Sequence, residues 1–182
     1  MIYKEKRIVL KNGIDCILRS TRPEDADIIL PHFKLTSEET GFMARYPEEI
    51  TMSIESEKKF LADQQTDPKS IMIAAIIDGK IIANAGISYV QNNIKYLHRA
   101  VFGISIQKEY WNIGIGSSIL TEMIVWAKKA DYEQIELEVL CENERAIALY
   151  EKLGFEIYGT REKSFKYKDG TYASEFLMLR RI

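Results

Sequence analysis

The sequence predicts one α/β (α+β) domain built on a single mixed sheet. Three observations carry that prediction. Strand-like runs come in pairs around the tight-turn dipeptides Asn12-Gly13, Asp78-Gly79 and Asp169-Gly170, as hairpins do. One strand–helix–strand passage, residues 98–140, is long enough for a crossover, which makes its two strands parallel and its hand right. Finally, 182 residues that are 46% hydrophobic suffice for one compact core and are too few for two.

The elements follow in order. Residues 4–10 and 14–19 alternate and form the first hairpin. Thr21 before Pro23 has the order of a helix cap and first turn, so Pro23–Phe33 is expected as a helix with Ala26, Ile29, Leu30 and Phe33 on its inner face. Residues 34–50 are irregular and read as a loop with a short helix. Residues 53–65 read as an amphipathic helix with Ile54, Phe60 and Leu61 as its apolar contacts. Residues 71–77 and 81–90 are strands about Asp78-Gly79. In a further strand, 98–106, Val101, Gly103 and Ser105 alternate with Phe102, Ile104 and Ile106. Residues 114–130 follow as a helix and 135–140 as a strand. A helix over 144–153 is closed by Gly154, and strands over about 155–167 and 171–179 end the chain. The order ββ, α, α, βββ, α, β, α, ββ carries no repeat and no linker.

Composition excludes several classes. The formal net charge is −2 with 29% charged residues, which argues against nucleic acid as a partner. The local basic run Arg161, Lys163, Lys166, Lys168 reads as a strand edge guarded against pairing. No apolar run reaches the ~18–20 residues of a membrane span, and Met1–Leu10 has no signal-peptide core, so a cytoplasmic protein is expected. Cys16 and Cys141 read as reduced thiols on strands. With His32 and His98 as the only histidines, no metal is expected.

Two motifs carry chemistry. Gly114-Ile115-Gly116-Ser117 opens a helix directly after a strand. Glycine lets the backbone approach a bulky anion, and the free N–H groups of a helix N-terminus bind phosphate. It is neither a P-loop, because no Lys-Ser/Thr follows, nor a dinucleotide fingerprint, because the third glycine is missing. The second motif runs from Asn143 to Phe155. Asn143 suits an N-cap, and Ala146, Tyr150 and Leu153 share one helical face. Taken alone, Tyr150 reads equally as a core aromatic.

Together, these motifs resemble the acetyl-CoA-binding core of the GNAT superfamily, a strand, Gly-rich turn, helix, strand, then a helix of pattern Asn-x-x-Ala-x-x-x-Tyr-x-x-x-Gly-Phe. Asn143, Ala146, Tyr150, Gly154 and Phe155 all match, as do Gly114 and Gly116. The resemblance covers about the last 110 residues closely and the first 70 in topology only. It implies a single GNAT-like domain over 1–182, a mixed central sheet of about seven strands with flanking helices, and a cofactor-binding core at about 98–155. Trp111 stands where the family usually has Arg or Gln, and Asn112 where it often has Gly. The Tyr110–Gly116 variant looks like the branch of ribosomal-protein and polyamine acetyltransferases.

The resemblance also implies the chemistry. An acetyl group passes from acetyl-CoA, with no metal, to the primary amine of a small molecule or peptide in a ternary complex. By carry-over, Tyr150 is the acid to the leaving sulfur. Backbone groups of Ile104 and Ile106 bond the pantetheine amides, the N–H groups of Ile113, Gly114, Ile115, Gly116 and Ser117 hold the pyrophosphate, and Asn143 contacts the cofactor near its sulfur end. No carboxylate lies within strand 98–106, so Glu138, His98 or a water relay stand as sources of the base. The acidic residues Glu38, Glu39, Glu48, Glu49, Glu55, Glu57 and Asp63 outnumber Arg45, Lys58 and Lys59 in 36–63, which reads either as solvated helix faces or, beside the cleft, as a bias toward a cationic acceptor. A homodimer is compatible with the chain, and the alternative activity is a catalytically silent acetyl-CoA-binding sensor or scaffold.

Overall fold

The computed structural model describes residues 2–182. Its strands are β1 (Lys6–Val9), β2 (Asp15–Ser20), β3 (Ile71–Ile77), β4 (Lys80–Tyr89), β5 (Arg99–Ile106), β6 (Gln134–Leu140), β7 (Glu156–Lys166) and β8 (Tyr172–Arg181). Its helices are α1 (Ala26–Glu38), α2 (Ile54–Thr66), α3 (Ile115–Lys129) and α4 (Glu144–Lys152). All eight strands form one sheet in the order β1-β2-β3-β4-β5-β6-β8-β7, one strand beyond the seven expected. Every neighbouring pair is antiparallel except β5 and β6, the parallel pair that the α3 crossover joins.

Local chemistry places most of these elements. Asp78 and Gly79 both take positive φ, 48° and 76°, as the two-residue turn between β3 and β4 demands. Strand β3 is apolar throughout because both of its faces are covered. Ile71, Ile73, Ala75 and Ile77 join the core under α3 and α4, while Ala74 joins Ala26, Ile29 and Leu61 of α1 and α2 on the other face. Ser53 caps α2, its hydroxyl accepting from the Ser56 N–H at 3.1 Å. At the opposite edge, β7 pairs irregularly with β8 around Ile157/Gly159 and Arg161/Phe165, so Arg161, Lys163 and Lys166 sit on an interrupted edge strand, while Lys168 lies in the turn after it.

Three expectations need correction. The first helix does not stop at Phe33. A 3-10 turn, Pro23–Asp25, leads into α1, which continues to Glu38. Its start is fixed by Asp25, which accepts from the Arg22 N–H at 2.8 Å, rather than by Thr21. Pro31 is tolerated inside α1 at the cost of one backbone bond. In α2, Ile54 and Phe60 are 41% and 42% exposed, and the buried positions are Leu61 and Glu57. Phe60 lies ~100° around the helix from Leu61, and Ile54 lines a surface groove with Leu35 and Met52.

The feature that positions the site is a divergence within the sheet. β5 and β6 pair only from Arg99–Val101 to Gln134–Glu136, although β5 continues to Ile106 and β6 to Leu140. Beyond Val101 the two strands part, and a wedge opens in the middle of the sheet.

Candidate active site

The wedge exposes the backbone of β5 in a defined way. Arg99 O accepts from Val90 N at 3.0 Å, and Gln107 N donates to Ile82 O at 3.1 Å. In an antiparallel ladder these groups alternate, so odd-numbered residues of β5 face β4 and even-numbered ones face the wedge. Ile104 and Ile106 therefore turn their peptide groups toward a side where no strand pairs with them. The Ile106 carbonyl is already taken, accepting from the Trp111 indole N–H at 2.8 Å. This leaves the Ile104 N–H and C=O and the Ile106 N–H available to an extended ligand.

After β5 the chain turns into α3 through two left-handed residues, Asn112 at φ 66° and Gly114 at φ 99°. Asn is one of the few side chains tolerant of that region, so the turn survives without glycine at 112. Among the described residues, no N–H from Asn112 to Ser117 donates to a backbone carbonyl, and the first helical bond is Ser118 N to Gly114 O at 3.0 Å. Free donors and the positive end of the α3 dipole thus converge on one spot. Ile113 holds this loop down, because its carbonyl accepts from the Lys11 N–H at 3.0 Å.

Gly116 has a packing role that the sequence did not reveal. A Cβ there would stand 2.9 Å from Leu149 Cδ2 and 3.4 Å from Ile106 Cδ1. The glycine permits α4 to approach α3, and it also lines the cavity at the α3 N-terminus.

Helix α4 brings in Asn143 and Tyr150. Asn143 is the N-cap, its Oδ1 accepting from Ala146 N at 3.3 Å, and it also borders the wedge. Tyr150 is 7% exposed. Its ring meets Phe102 edge-on at 6.3 Å and Phe155 at 5.9 Å, and burial pushes its hydroxyl up to about 12. The hydroxyl therefore stays protonated across the physiological range.

Two cavities meet at this tyrosine. One, of about 390 Å³, lies between the α3 N-terminus, α4 and the end of α1, and Ile104, Ile106, Ile115, Gly116 and Ser117 line it. Lys11, Arg145 and Lys152 border it and no Asp or Glu does. The Arg145 guanidinium lies 3.2 Å from the Trp111 ring centroid, and desolvation there lowers its pKa. Helix α4 thus places a cation over the Trp111 ring. A polyanion fits this cavity.

The second cavity, about 450 Å³, lies between α1, β4 and the β6–β8 side. Arg45, Asn84, Ser105, Glu138 and Glu175 border it together with Phe33, Phe42 and Phe165, and it shares Tyr150, Asn143 and Ile104 with the first. Glu138 and Glu175 both lean on Arg161, at 2.7 Å and 3.3 Å. His98 is placed at the opposite end of β5, its carbonyl accepting from Glu133 N at 2.9 Å, and it borders neither cavity.

None of the acidic residues expected to steer a cation borders either cavity. Glu48 pairs with Lys168, Glu39 accepts from Lys108 N at 2.7 Å and Glu49 from Tyr46 N at 2.7 Å, while Glu57 is buried. Sequence reasoning missed Lys11, Arg45, Asn84, Ser105 and Glu175. The readable signal was Asn84 and Ser105, polar residues at inward positions of otherwise apolar strands. Among the described residues no His, Cys, Asp and Glu cluster could hold a metal ion, and no helix is long and apolar enough to cross a membrane.

Comparison with known proteins agrees with this geometry. A family model described as the Acetyltransferase (GNAT) family matches residues 34–155. The chain is 35% identical over 124 residues to an L-amino acid N-acetyltransferase of Escherichia coli, covering 66% of this chain and 72% of that one. It is 31% identical over 170 residues to an N-alpha-acetyltransferase of Saccharolobus solfataricus, covering 88% of each. A solved acetyltransferase of the GNAT family from Streptococcus pneumoniae superimposes with a TM-score of 0.88 at 30% identity, over 92% of this chain and 99% of that one.

Proposed function

This chain belongs to the GNAT acetyltransferase family and is an N-acetyltransferase; from that premise we propose that it carries an acetyl group from acetyl-CoA to a primary amine by direct attack, with both substrates bound. The carrying observation is the meeting of two cavities at Tyr150, one bordered by cations and no carboxylate, the other by Glu138 and Glu175 as well as Arg45. Two substrates of opposite character would reach each other there without a covalent enzyme form.

Acetyl-CoA supplies the acetyl group as an activated thioester. The residues of this chain fit its parts. The free N–H groups of Ile113–Ser117 and the α3 dipole hold the pyrophosphate, with Lys11 and Arg145 neutralising charge. Ile104 through its N–H and C=O, and Ile106 through its N–H, bond the pantetheine amides as an added strand would. Asn143, at the junction of the cavities, borders the sulfur end. The Tyr150 hydroxyl donates its proton toward the sulfur as the C–S bond breaks. An amine protonated at neutral pH must first lose a proton, and Glu138 and Glu175 are the carboxylates on that side that can take it, directly or through water.

A thiol-release assay with acetyl-CoA and a panel of amines tests the proposal. Free thiol is expected only when protein, acetyl-CoA and amine are all present, with an N-acetylated product in equal amount by mass spectrometry. Acetyl-CoA binding without amine-dependent release from any acceptor would contradict it.

A further inference from the structure

The acceptor cavity carries more chemistry than a bare amine needs. Asn84 on β4 and Ser105 on β5 are register partners and are only 4% and 5% exposed. The Asn84 Nδ2 is fully buried and meets no acceptor among the described residues. A dry, unpaired amide N–H is costly, and Asn84 is part of the cavity wall.

Ser105 is a second donor, by a chain of assignments. Gln107 Nε2 donates to the Ile81 carbonyl at 3.1 Å, which fixes its amide, and lies 3.2 Å from His32 Nδ1. Nδ1 is then the accepting nitrogen, so the ring proton sits on Nε2, 2.9 Å from Ser105 Oγ. Burial holds His32 down to about 4, so the ring is neutral at pH 7. Ser105 Oγ accepts from His32, and its own O–H remains to donate into the cavity. The third donor is Arg45, whose guanidinium lies 5.0 Å from the Phe33 ring centroid. Its charge acts on the buried Glu57 carboxyl, with no ion pair between them among the described residues.

All three donors approach from the α1 side, while Glu138 and Glu175 approach from the β6–β8 side. Building on the acetyltransferase reading, we propose that the acceptor is a free α-amino acid with an apolar side chain. Its carboxylate is held by Arg45, Asn84 and Ser105, and its amine faces Tyr150 and the two glutamates. The walls formed by Phe33, Phe42 and Phe165 take the side chain. A polyamine offers nothing to the three donors and meets the positive charge of Arg45. At a peptide N-terminus the carboxyl is locked in an amide and carries no charge for Arg45. The unpartnered donors inside the cavity thus replace the cationic acceptor expected from the acidic stretch outside it.

The test compares kcat/KM for leucine or phenylalanine with the matching amino-acid amide, the decarboxylated amine, a tripeptide and a polyamine. The free amino acid is expected to lead by about ten- to a hundredfold, the worth of charge-assisted hydrogen bonds to a carboxylate. Arg45→Ala should lower kcat/KM for the amino acid by a similar factor and collapse its lead over the amide. Asn84→Ala should do so by about tenfold, without loss of thermal stability, because it removes an unpaired group. Acetyl-CoA affinity, measured by calorimetry, should be unchanged in both. A carboxylate-free amine, peptide or polyamine matching or beating the amino acid overturns the proposal, as does an equal loss for acid and amide in Arg45→Ala. Absence of acetyl-CoA binding in the unaltered protein would instead sink the acetyltransferase reading.

Discussion

Replacing Tyr150 by Phe removes one hydroxyl from the junction of the two cavities, and its effect can be worked out in advance. The hydroxyl has no hydrogen-bond partner among the described residues, and the ring contacts with Phe102 at 6.3 Å and Phe155 at 5.9 Å remain. Stability should therefore stay within about 0.5 kcal/mol. The catalytic effect follows from two acidities. An unperturbed phenol titrates near ~10 and a thiol near ~8.5, and a gap of about 1.5 corresponds to about 2 kcal/mol. Burial raises Tyr150 to about 12, and the same dry site raises a departing thiolate in parallel, so the gap persists. Full proton transfer is then mildly uphill, and the hydroxyl contributes chiefly as a preorganised donor to the charge developing on sulfur. Losing one such donor costs about 10²–10³ in kcat. Stopped-flow thiol detection at saturating substrates measures the chemical step, and calorimetry measures acetyl-CoA affinity. The expected result is a kcat lower by that factor with affinity unchanged. A kcat within about threefold of the parent, with chemistry rate-limiting, would return Tyr150 to the role of a core aromatic.

Two further outcomes follow from the packing. Gly116→Ala puts a methyl group 2.9 Å from Leu149 Cδ2, so stability should fall by about 1–3 kcal/mol and Leu149→Ala in the same chain should recover part of it. Strictly additive losses on thermal denaturation would refute the contact. His32, with its pKa held down to about 4 against an ordinary 6.5, makes the unfolded chain bind more protons than the folded one between those values. Stability should thus rise with pH across about 4 to 6.5 and level off above, by at most about 3 kcal/mol from this group. Urea titrations from pH 4.5 to 7.5 should show a shallower slope for His32→Gln; parallel curves for the two proteins would contradict the buried neutral ring.

What the sequence made legible were features set by neighbours along the chain. The turn before α3 and the run from Asn143 to Phe155 announce themselves because caps, left-handed turns and helical faces need particular residues at short, fixed spacing. The crossover and the parallel pair followed from passage lengths. Other features depend on contacts that only the folded sheet creates. Lys11 reaches the α3 turn from the first hairpin, and Arg145 meets Trp111 from the far side of a strand and a loop. Helix α1 outran its predicted end because Lys34, Thr36, Ser37 and Glu38 show no apolar periodicity, whereas in the fold Thr36 and Ser37 are buried and the Thr36 hydroxyl donates back to the His32 carbonyl at 3.0 Å. The acidic side chains of residues 36–63 border neither of the two cavities. Among them Glu48 pairs with Lys168, Glu39 and Glu49 accept from backbone N–H groups, and Glu57 is buried, contacts that only the folded chain reveals.

The most direct test is residue-resolved amide NMR during titration with acetyl-CoA. In the proposed binding mode the ligand lies on the backbone N–H groups of Ile113–Ser117 and on those of Ile104 and Ile106. Those amides should shift and gain protection from exchange together, at one dissociation constant, while the amides of β1, β7 and α2 stay still. Binding that leaves the α3 turn and Ile104 and Ile106 unmoved, or no binding at all, would contradict it.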